Sequence, residues 1–145
     1  MKRFKAYKYR LYPNKKQEEL FSKHFGCCRY VYNYALSKKI EYYTKEKKTL
    51  SRFEIQKDIV SMKKLLETKW LKEVTAQSLQ ASLVNLDKAY TRFFREKTGF
   101  PKFKSKHSKQ SCQFPQGNKV NFQNNKLYIM KFREGIKCKF HRQFK

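Results

Sequence analysis

Three patterns in the sequence predict an α+β protein, a helical bundle set into a small antiparallel sheet or barrel that is left incomplete. Apolar residues recur at helical spacing through residues 14–97. A short run of strand formers mixed with cations precedes them, and period-two alternation returns near the C-terminus. The charge divides at nearly the same places. Residues 1–16 hold seven basic residues and no acid, residues 17–96 hold 16 basic and 10 acidic residues, and residues 97–145 hold 13 basic residues against Glu134 alone. The middle can pair its charges, whereas the two flanks are almost purely cationic. The expected division is therefore 1–13 as a first strand, 14–97 as the helical part, and 98–145 as a basic loop followed by further strands.

The first strand is read over Phe4–Tyr12, rich in Tyr and ended by Pro13. Asn14 with Gln17 three residues on is a capping-box pattern. Leu20, Phe21, Phe25, Cys28, Val31, Tyr32 and Ala35 then give one helical face. Gly26 predicts a turn between two helices, because an unbroken segment would run to about 30 residues, well beyond the usual globular length. The second of these continues through Ile40 to about Tyr43. Ser51 and Glu54 form another capping-box pattern, followed by the stripe Ile55, Ile59, Met62 and Leu66. Trp70, Leu71 and Val74 make a short apolar connection. Thr75 or a neighbour opens the last helix, with the stripe Leu79, Leu83, Leu86, Tyr90, Phe93 and Phe94. Four or five helices are expected in all. After Gly99-Phe100-Pro101, residues 102–109 read as a basic loop with one ring, Phe103. Short strands are expected at Gln113–Pro115, Val120–Phe122 and Leu127–Phe132, then where Ile136, Cys138 and Phe140 alternate with Lys137, Lys139 and His141. The sequence ends five residues later with no turn signal and no closing strand, so the sheet is expected to keep an unpaired edge.

The chain has 145 residues and a formal charge of +25, a length that fits one domain or one domain with a small lobe. Its 13 Phe, 10 Tyr and single Trp exclude disorder throughout. No run of about 18 apolar residues is present, and the N-terminus has no apolar segment of a secretory signal. The four cysteines, Cys27, Cys28, Cys112 and Cys138, show no C-x-x-C spacing, which fits reduced thiols in a cytoplasm. His24 and Cys28 share a helix face and could be joined by Cys112 or Cys138 around zinc. Structural zinc sites usually show two tight ligand pairs, so Cys28 is read as a small buried residue and no metal or other cofactor is expected.

Catalytic machinery is easier to exclude than to find. Metal-dependent nucleases need clustered carboxylates, but 10 of the 11 acids lie along the helices, mostly beside Lys or Arg. There is no glycine-rich phosphate loop, no G-x-S-x-G and no H-E-x-x-H. His24, His107 and His141 have no acid at motif spacing. The chain is expected not to be an enzyme by itself.

A charge of +25 calls for a polyanion. Lys and Arg give salt-dependent phosphate contacts, and Tyr and Phe rings offer stacking faces to unpaired bases. Any one ring serves core packing equally well; the signal is that both flanks are at once basic and ring-rich. The candidate contacts are Arg10 and Tyr12 in the first flank and Lys102, Lys104, Lys106 and Lys109 in the loop. Gln77 and Gln80 could read base edges, as Gln pairs with adenine. An anionic membrane would instead need a helix with one cationic and one apolar face. The helices carry mixed charge and the most basic segments are not helical, so no membrane partner is expected.

The residues also carry a family likeness. Ala6-Tyr7-Lys8-Tyr9-Arg10-Leu11-Tyr12-Pro13-Asn14, then Gln17-x-x-Leu20 and Gly26-x-x-Arg29-Tyr30-Val31-Tyr32-Asn33, resemble the opening of TnpB proteins, the OrfB products of bacterial insertion sequences. The likeness continues through Trp70-Leu71-x-Glu73-Val74, Ser78-Leu79-Gln80, Leu86-x-x-Ala89-Tyr90-x-x-Phe93-Phe94 and Gly99-Phe100-Pro101-Lys102-Phe103-Lys104, and so covers essentially the whole chain.

That resemblance implies a wedge-type β-barrel built from the first strand and the segment after Gly-Phe-Pro. Between them it implies a recognition lobe of helix-turn-helix-like character. Its implied partners are a structured guide RNA derived from the transposon end and the flank of a DNA target, in the cytoplasm of a bacterial or phage/archaeal host. In the family, cleavage belongs to a RuvC-like domain with three acids and an inserted zinc ribbon, both further along the chain than this sequence reaches. By position, the surface that reads the DNA would fall on Arg52, Gln56, Ala76, Gln77 and Gln80, joined by Pro115. Arg52, Ala76 and Pro115 differ in type from the aromatic or hydroxyl residues that family members often place there. A nucleic-acid-binding module without nuclease activity is the reading that results. The alternative is the front part of an active RNA-guided DNA endonuclease whose catalytic domain lies elsewhere; a cationic membrane-binding protein is the least favoured.

Overall fold

A computed structural model describes residues 2–143, and it begins regular structure with the short strand β1 (Arg10–Tyr12). Of the expected strand over Phe4–Tyr12 only these three residues pair, because β4 is the one neighbour available to them and its partnered residues are Lys137, Cys138 and Lys139. Asn14 then caps α1 (Lys15–Glu46). Its side chain accepts from the Gln17 amide at 2.9 Å, and its own amide donates back to Gln17 Oε1 at 3.0 Å, the reciprocal capping box.

The turn expected at Gly26 does not exist: α1 runs unbroken for 32 residues. Gly26 has space around it, since a Cβ there would meet only the Arg29 guanidinium at 3.9 Å. An interior glycine costs a helix only about 1 kcal/mol. Buried residues on both sides of it keep one face in register: His24 before it and Cys27, Cys28, Val31, Tyr32, Ala35 and Leu36 after it.

Ser51 caps α2 (Arg52–Met62) by accepting from the Glu54 amide at 3.4 Å, the forward half of the expected box. Ile55 and Ile59 are fully buried, but Leu66 is 79% exposed. The helix stops at Met62, so helical spacing no longer aims Leu66 at the core. A 3-10 turn over Lys69–Glu73 buries Leu71, and Val74 follows it into the core. Thr75 caps α3 (Ala76–Glu96), accepting from the Ser78 amide. Leu79, Leu83 and Leu86 are buried along α3 and pack against α1 and α2. The described residues thus form three α-helices and a 3-10 turn rather than four or five helices.

The remaining strands are β2 (Lys119–Asn121), β3 (Lys126–Ile129) and β4 (Phe132–Lys139). They join β1 in an antiparallel sheet of order β1-β4-β3-β2 that is not closed into a barrel. The expected strand at Leu127–Phe132 is split by a turn in which Lys131 takes a left-handed φ of 75°, and Gln113–Pro115 is not a strand. The sheet is tied to the helices at the start of α1. Gln17 Nε2 donates to the Gly135 carbonyl at 2.6 Å, and the Phe21 ring lies 4.5 Å from that of Phe132. Gly135 is required where it stands: its φ is +75°, and a Cβ would come within 2.8 Å of the Tyr128 ring.

His24 sits at this junction, fully buried among Phe114 and Phe132. Its Nδ1–H donates to the Leu20 carbonyl at 2.8 Å and its Nε2 accepts from the Thr75 amide at 3.3 Å. The pair of roles requires the neutral ring, and Thr75 is also the cap of α3. Burial holds its pKa below the ordinary 6.5, and Lys131 acts in the same direction against the Leu20 hydrogen bond.

Two outcomes follow. Gly135→Ala should destabilise the fold by about 2–4 kcal/mol in urea unfolding, from left-handed strain plus overpacking. A Tyr128→Ala background should shrink that penalty in a double-mutant cycle, whereas simple additivity would refute the clash. For His24 the unfolded chain binds the proton more readily than the folded one. Stability should therefore be complete above pH ~6.5 and fall as the pH drops through the folded pKa. In His24→Gln that acid-side slope should be weaker.

Candidate nucleic-acid interface

Strand register sorts the sheet into two unlike faces. Leu11 pairs with Cys138, Leu127 with Ile136 and Val120 with Leu127, which puts these apolar residues on one side. Against part of that side lies segment 3–9, where Tyr9 meets Phe140 at 5.0 Å and its hydroxyl donates to the Arg142 carbonyl. An open hollow of about 680 Å³ remains between them. The opposite side carries Arg10, Tyr12, Lys119, Asn121, Lys126, Tyr128, Lys137 and Lys139. Arg10 stands directly across from Lys139, and Lys126 from Lys137. Facing like charges destabilise an antiparallel pair. Arg10 lies over the Tyr12 ring at 5.6 Å, so cation and stacking face are adjacent.

A second basic surface lies on the helices. Segment 102–113 has no regular structure, yet it is strapped down between α1 and α3. Lys104 donates its amide to Asn33 Oδ1 at 2.8 Å and accepts from Asn33 Nδ2 at 2.8 Å, a side chain imitating a strand partner. Gln113 is held at its carbonyl by Ser78 Oγ at 2.6 Å and at its side chain by Asn85 at 3.1 Å. Where the strap meets α3 an open groove of about 810 Å³ is lined by Arg52, Asn85, Lys88, Arg92, Lys104 and Tyr32 among others. Lys104 Nζ lies 4.3 Å from the centre of the Tyr32 ring.

One carboxylate organises the groove. Asp87 Oδ2 is 3.3 Å from Arg52, and Oδ1 is 3.3 Å from Lys39, whose side chain is only 5% exposed. Lys39 also donates to the Leu50 carbonyl at 2.7 Å. The triad joins α1, α2 and α3, and it fixes Arg52 at the first turn of α2.

The structure therefore brings together Arg10 with Tyr12, and separately Arg52 with Lys104. It does not gather all the candidates. Gln77 donates to Gln116 at 3.1 Å near exposed Pro115, at the other end of α3 from the groove mouth formed by Arg92. Gln80 is exposed and Gln56 half-buried. Lys102, Lys106 and Lys109 are exposed along the strap. Sequence reasoning missed Asn85, Lys88 and Arg92, although they recur at helical spacing beside the leucine stripe of α3. It also missed Lys119, Lys126, Lys137 and Lys139 as one face, because that requires the strand register.

The four cysteines are free thiols. Burial pushes Cys27 and Cys112 up to about 12 and raises Cys28 and Cys138, so all four are protonated at neutral pH. Cys28 donates to the Ser78 carbonyl at 3.6 Å, and both ring nitrogens of His24 are engaged within the protein.

Comparison with known proteins points one way. A family described as a helix-turn-helix domain, of the OrfB IS605 type, matches residues 1–48, the stretch that forms β1 and α1. The chain is 35% identical, over 90% of its length, to 33% of an Escherichia coli K12 protein with the provisional name RNA-guided DNA endonuclease InsQ. It is 31% identical, over 95% of its length, to 34% of a Streptomyces pristinaespiralis protein provisionally named RNA-guided DNA endonuclease. It is 32% identical, over 72% of its length, to 96% of virulence protein VsdF of Salmonella dublin. The chain thus spans about a third of the length of the two endonuclease relatives.

Asp87→Asn should leave Lys39 buried without a counter-charge and cost about 3 kcal/mol in urea unfolding. A loss near zero would mean that the Leu50 carbonyl alone satisfies Lys39.

Proposed function

Because the chain belongs to the TnpB/OrfB family of insertion-sequence proteins, we propose that it is a nucleic-acid-binding module. In this reading it holds a structured guide RNA derived from a transposon end, together with the flank of a DNA target. The observation that carries this is the basic sheet face. Arg10 opposite Lys139 and Lys126 opposite Lys137 repel one another in the free protein, and a phosphate backbone running over them turns that repulsion into attraction. Tyr12 beside Arg10 supplies a ring where a base is unpaired. The groove at Arg52, Lys88, Arg92 and Lys104 is the second phosphate-binding surface. Gln77, Gln80 and Gln56, with Pro115, are assigned to reading DNA base edges, and Lys102, Lys106 and Lys109 to steering along the strap.

The module is proposed to bind without cutting. Its acids are dispersed, and among the described residues no three His, Cys, Asp or Glu side chains cluster to hold a metal. In the second reading this chain is the front part of an active RNA-guided endonuclease, favoured by its match to a third of two relatives so named. Among the described residues no helix is long and apolar enough to cross a bilayer.

The deciding experiment is a binding titration at several salt concentrations with a structured transposon-end RNA, random RNA, duplex DNA and single-stranded DNA. Preference for the structured RNA that persists near ~0.3 M salt is expected. Equal affinities that collapse together as salt rises would reduce the chain to a polycation. Lys137→Ala and Lys139→Ala should each flatten the salt slope by about one. Metal-dependent cleavage by the isolated chain would overturn the non-cutting reading.

A further inference from the structure

The end of α3 carries a ring cluster that reaches outward from the bundle core, to which it is joined through Tyr90. Tyr90 lies 6.3 Å from Phe94 and 5.4 Å from Phe100, and Phe93 lies 5.1 Å from Phe94 and 5.2 Å from Phe100. Tyr90 and Phe93 are half-buried, whereas Phe94 is 70% and Phe100 42% exposed. The exposed rings are therefore propped from behind by others and held in place, with Lys39 lying over the Tyr90 ring at 5.2 Å. Around them stand Arg92, Arg95, Lys97 and Lys102 with only Glu96 between. Among the described residues, none of these four cations makes an ion pair or side-chain hydrogen bond. Arg92 also lines the basic groove, so ring platform and groove are continuous along α3.

We propose that Phe94 and Phe100 form a stacking platform for unpaired bases of a single-stranded nucleic-acid segment leaving the groove. Arg92, Arg95, Lys97 and Lys102 hold its phosphates. This rests on the nucleic-acid-binding reading and extends it to a site and a strand state. Preformed rings with open faces accept any unpaired base, whereas a duplex keeps its bases stacked on each other and presents only phosphates. The free cations select a polyanion over an apolar protein surface, which would leave their charges without counter-ions.

The test compares oligothymidylate with a duplex of similar charge, using the full chain. Phe94→Ala combined with Phe100→Ala should weaken oligothymidylate binding by about tenfold or more, with the salt slope unchanged and duplex affinity within about twofold. Phe94→Trp should retain full affinity and show fluorescence quenching on oligothymidylate beyond that of the parent. Phe94→Ala alone, at an exposed position, guards against misfolding and should give part of the loss. Equal losses for both ligands, or undiminished single-strand binding by the double variant, would overturn the platform while leaving the broader reading standing. A parent chain that binds neither ligand would overturn both.

Discussion

The continuity of α1 through Gly26 is the constraint on which the rest of the molecule depends. The sheet is open and three of its four strands have only three or four residues, so it leans on the helices. What it borrows comes from the first turns of α1, through the Gln17 hydrogen bond to Gly135 and the Phe21 ring against Phe132. The bundle is built on the later turns of the same helix, through Val31, Ala35 and Leu36. His24 lies between and binds the cap of α3. A break at Gly26 would uncouple the sheet from the bundle, whose core runs from Cys27 to Leu86 and lies wholly after the glycine. The glycine's modest cost in the helix is outweighed because packing on each side of it demands the same register.

Electrostatics is organised around very few acids. Asp87 receives both Lys39 and Arg52, which lets a lysine enter the interior beside α2 and α3. The other ion pairs among the described residues, such as Lys23 with Glu73 and Lys45 with Glu41, are exposed and contribute little. Most of the cationic surplus is therefore left facing outward, gathered by strand register on one side of the sheet and by helical spacing along α3. The fold does not neutralise its charge; it sorts it.

Local signals in the sequence were legible where one interaction decides the outcome. Asn14 with Gln17, Ser51 and Thr75 marked helix starts because an N-cap is a contact within four residues. Leu79, Leu83 and Leu86 marked a buried face for the same local reason. Gly26 misled because helix length is a statistical prior and long-range packing overrode it. The strand over Phe4–Tyr12 was overlong because pairing length is set by β4, more than 120 residues away. At the site, Arg10, Tyr12 and Lys104 were visible as residue types in basic, ring-rich stretches, and Arg52 only through the family resemblance. The face shared by Lys126, Lys137 and Lys139 was not, since it exists only once three strands are aligned. The burial of Lys39 was also hidden, because its counter-charge lies on another helix.

Seen as a mechanical part, α1 is a strut. Its 32 residues at about 1.5 Å each make a rod roughly 48 Å long. Arg10 and Tyr12 stand just before one end, and Lys45, Lys47 and Lys48 at the other. That span equals about 14 stacked base pairs at 3.4 Å apiece. The helix thus holds cations near its two ends at a fixed separation, set by the number of residues between Asn14 and Lys47. Beyond Lys39, the last buried residue of the helix, inserting or deleting one turn would change that length by about 5 Å and leave the packing on the sheet and on α3 as it is.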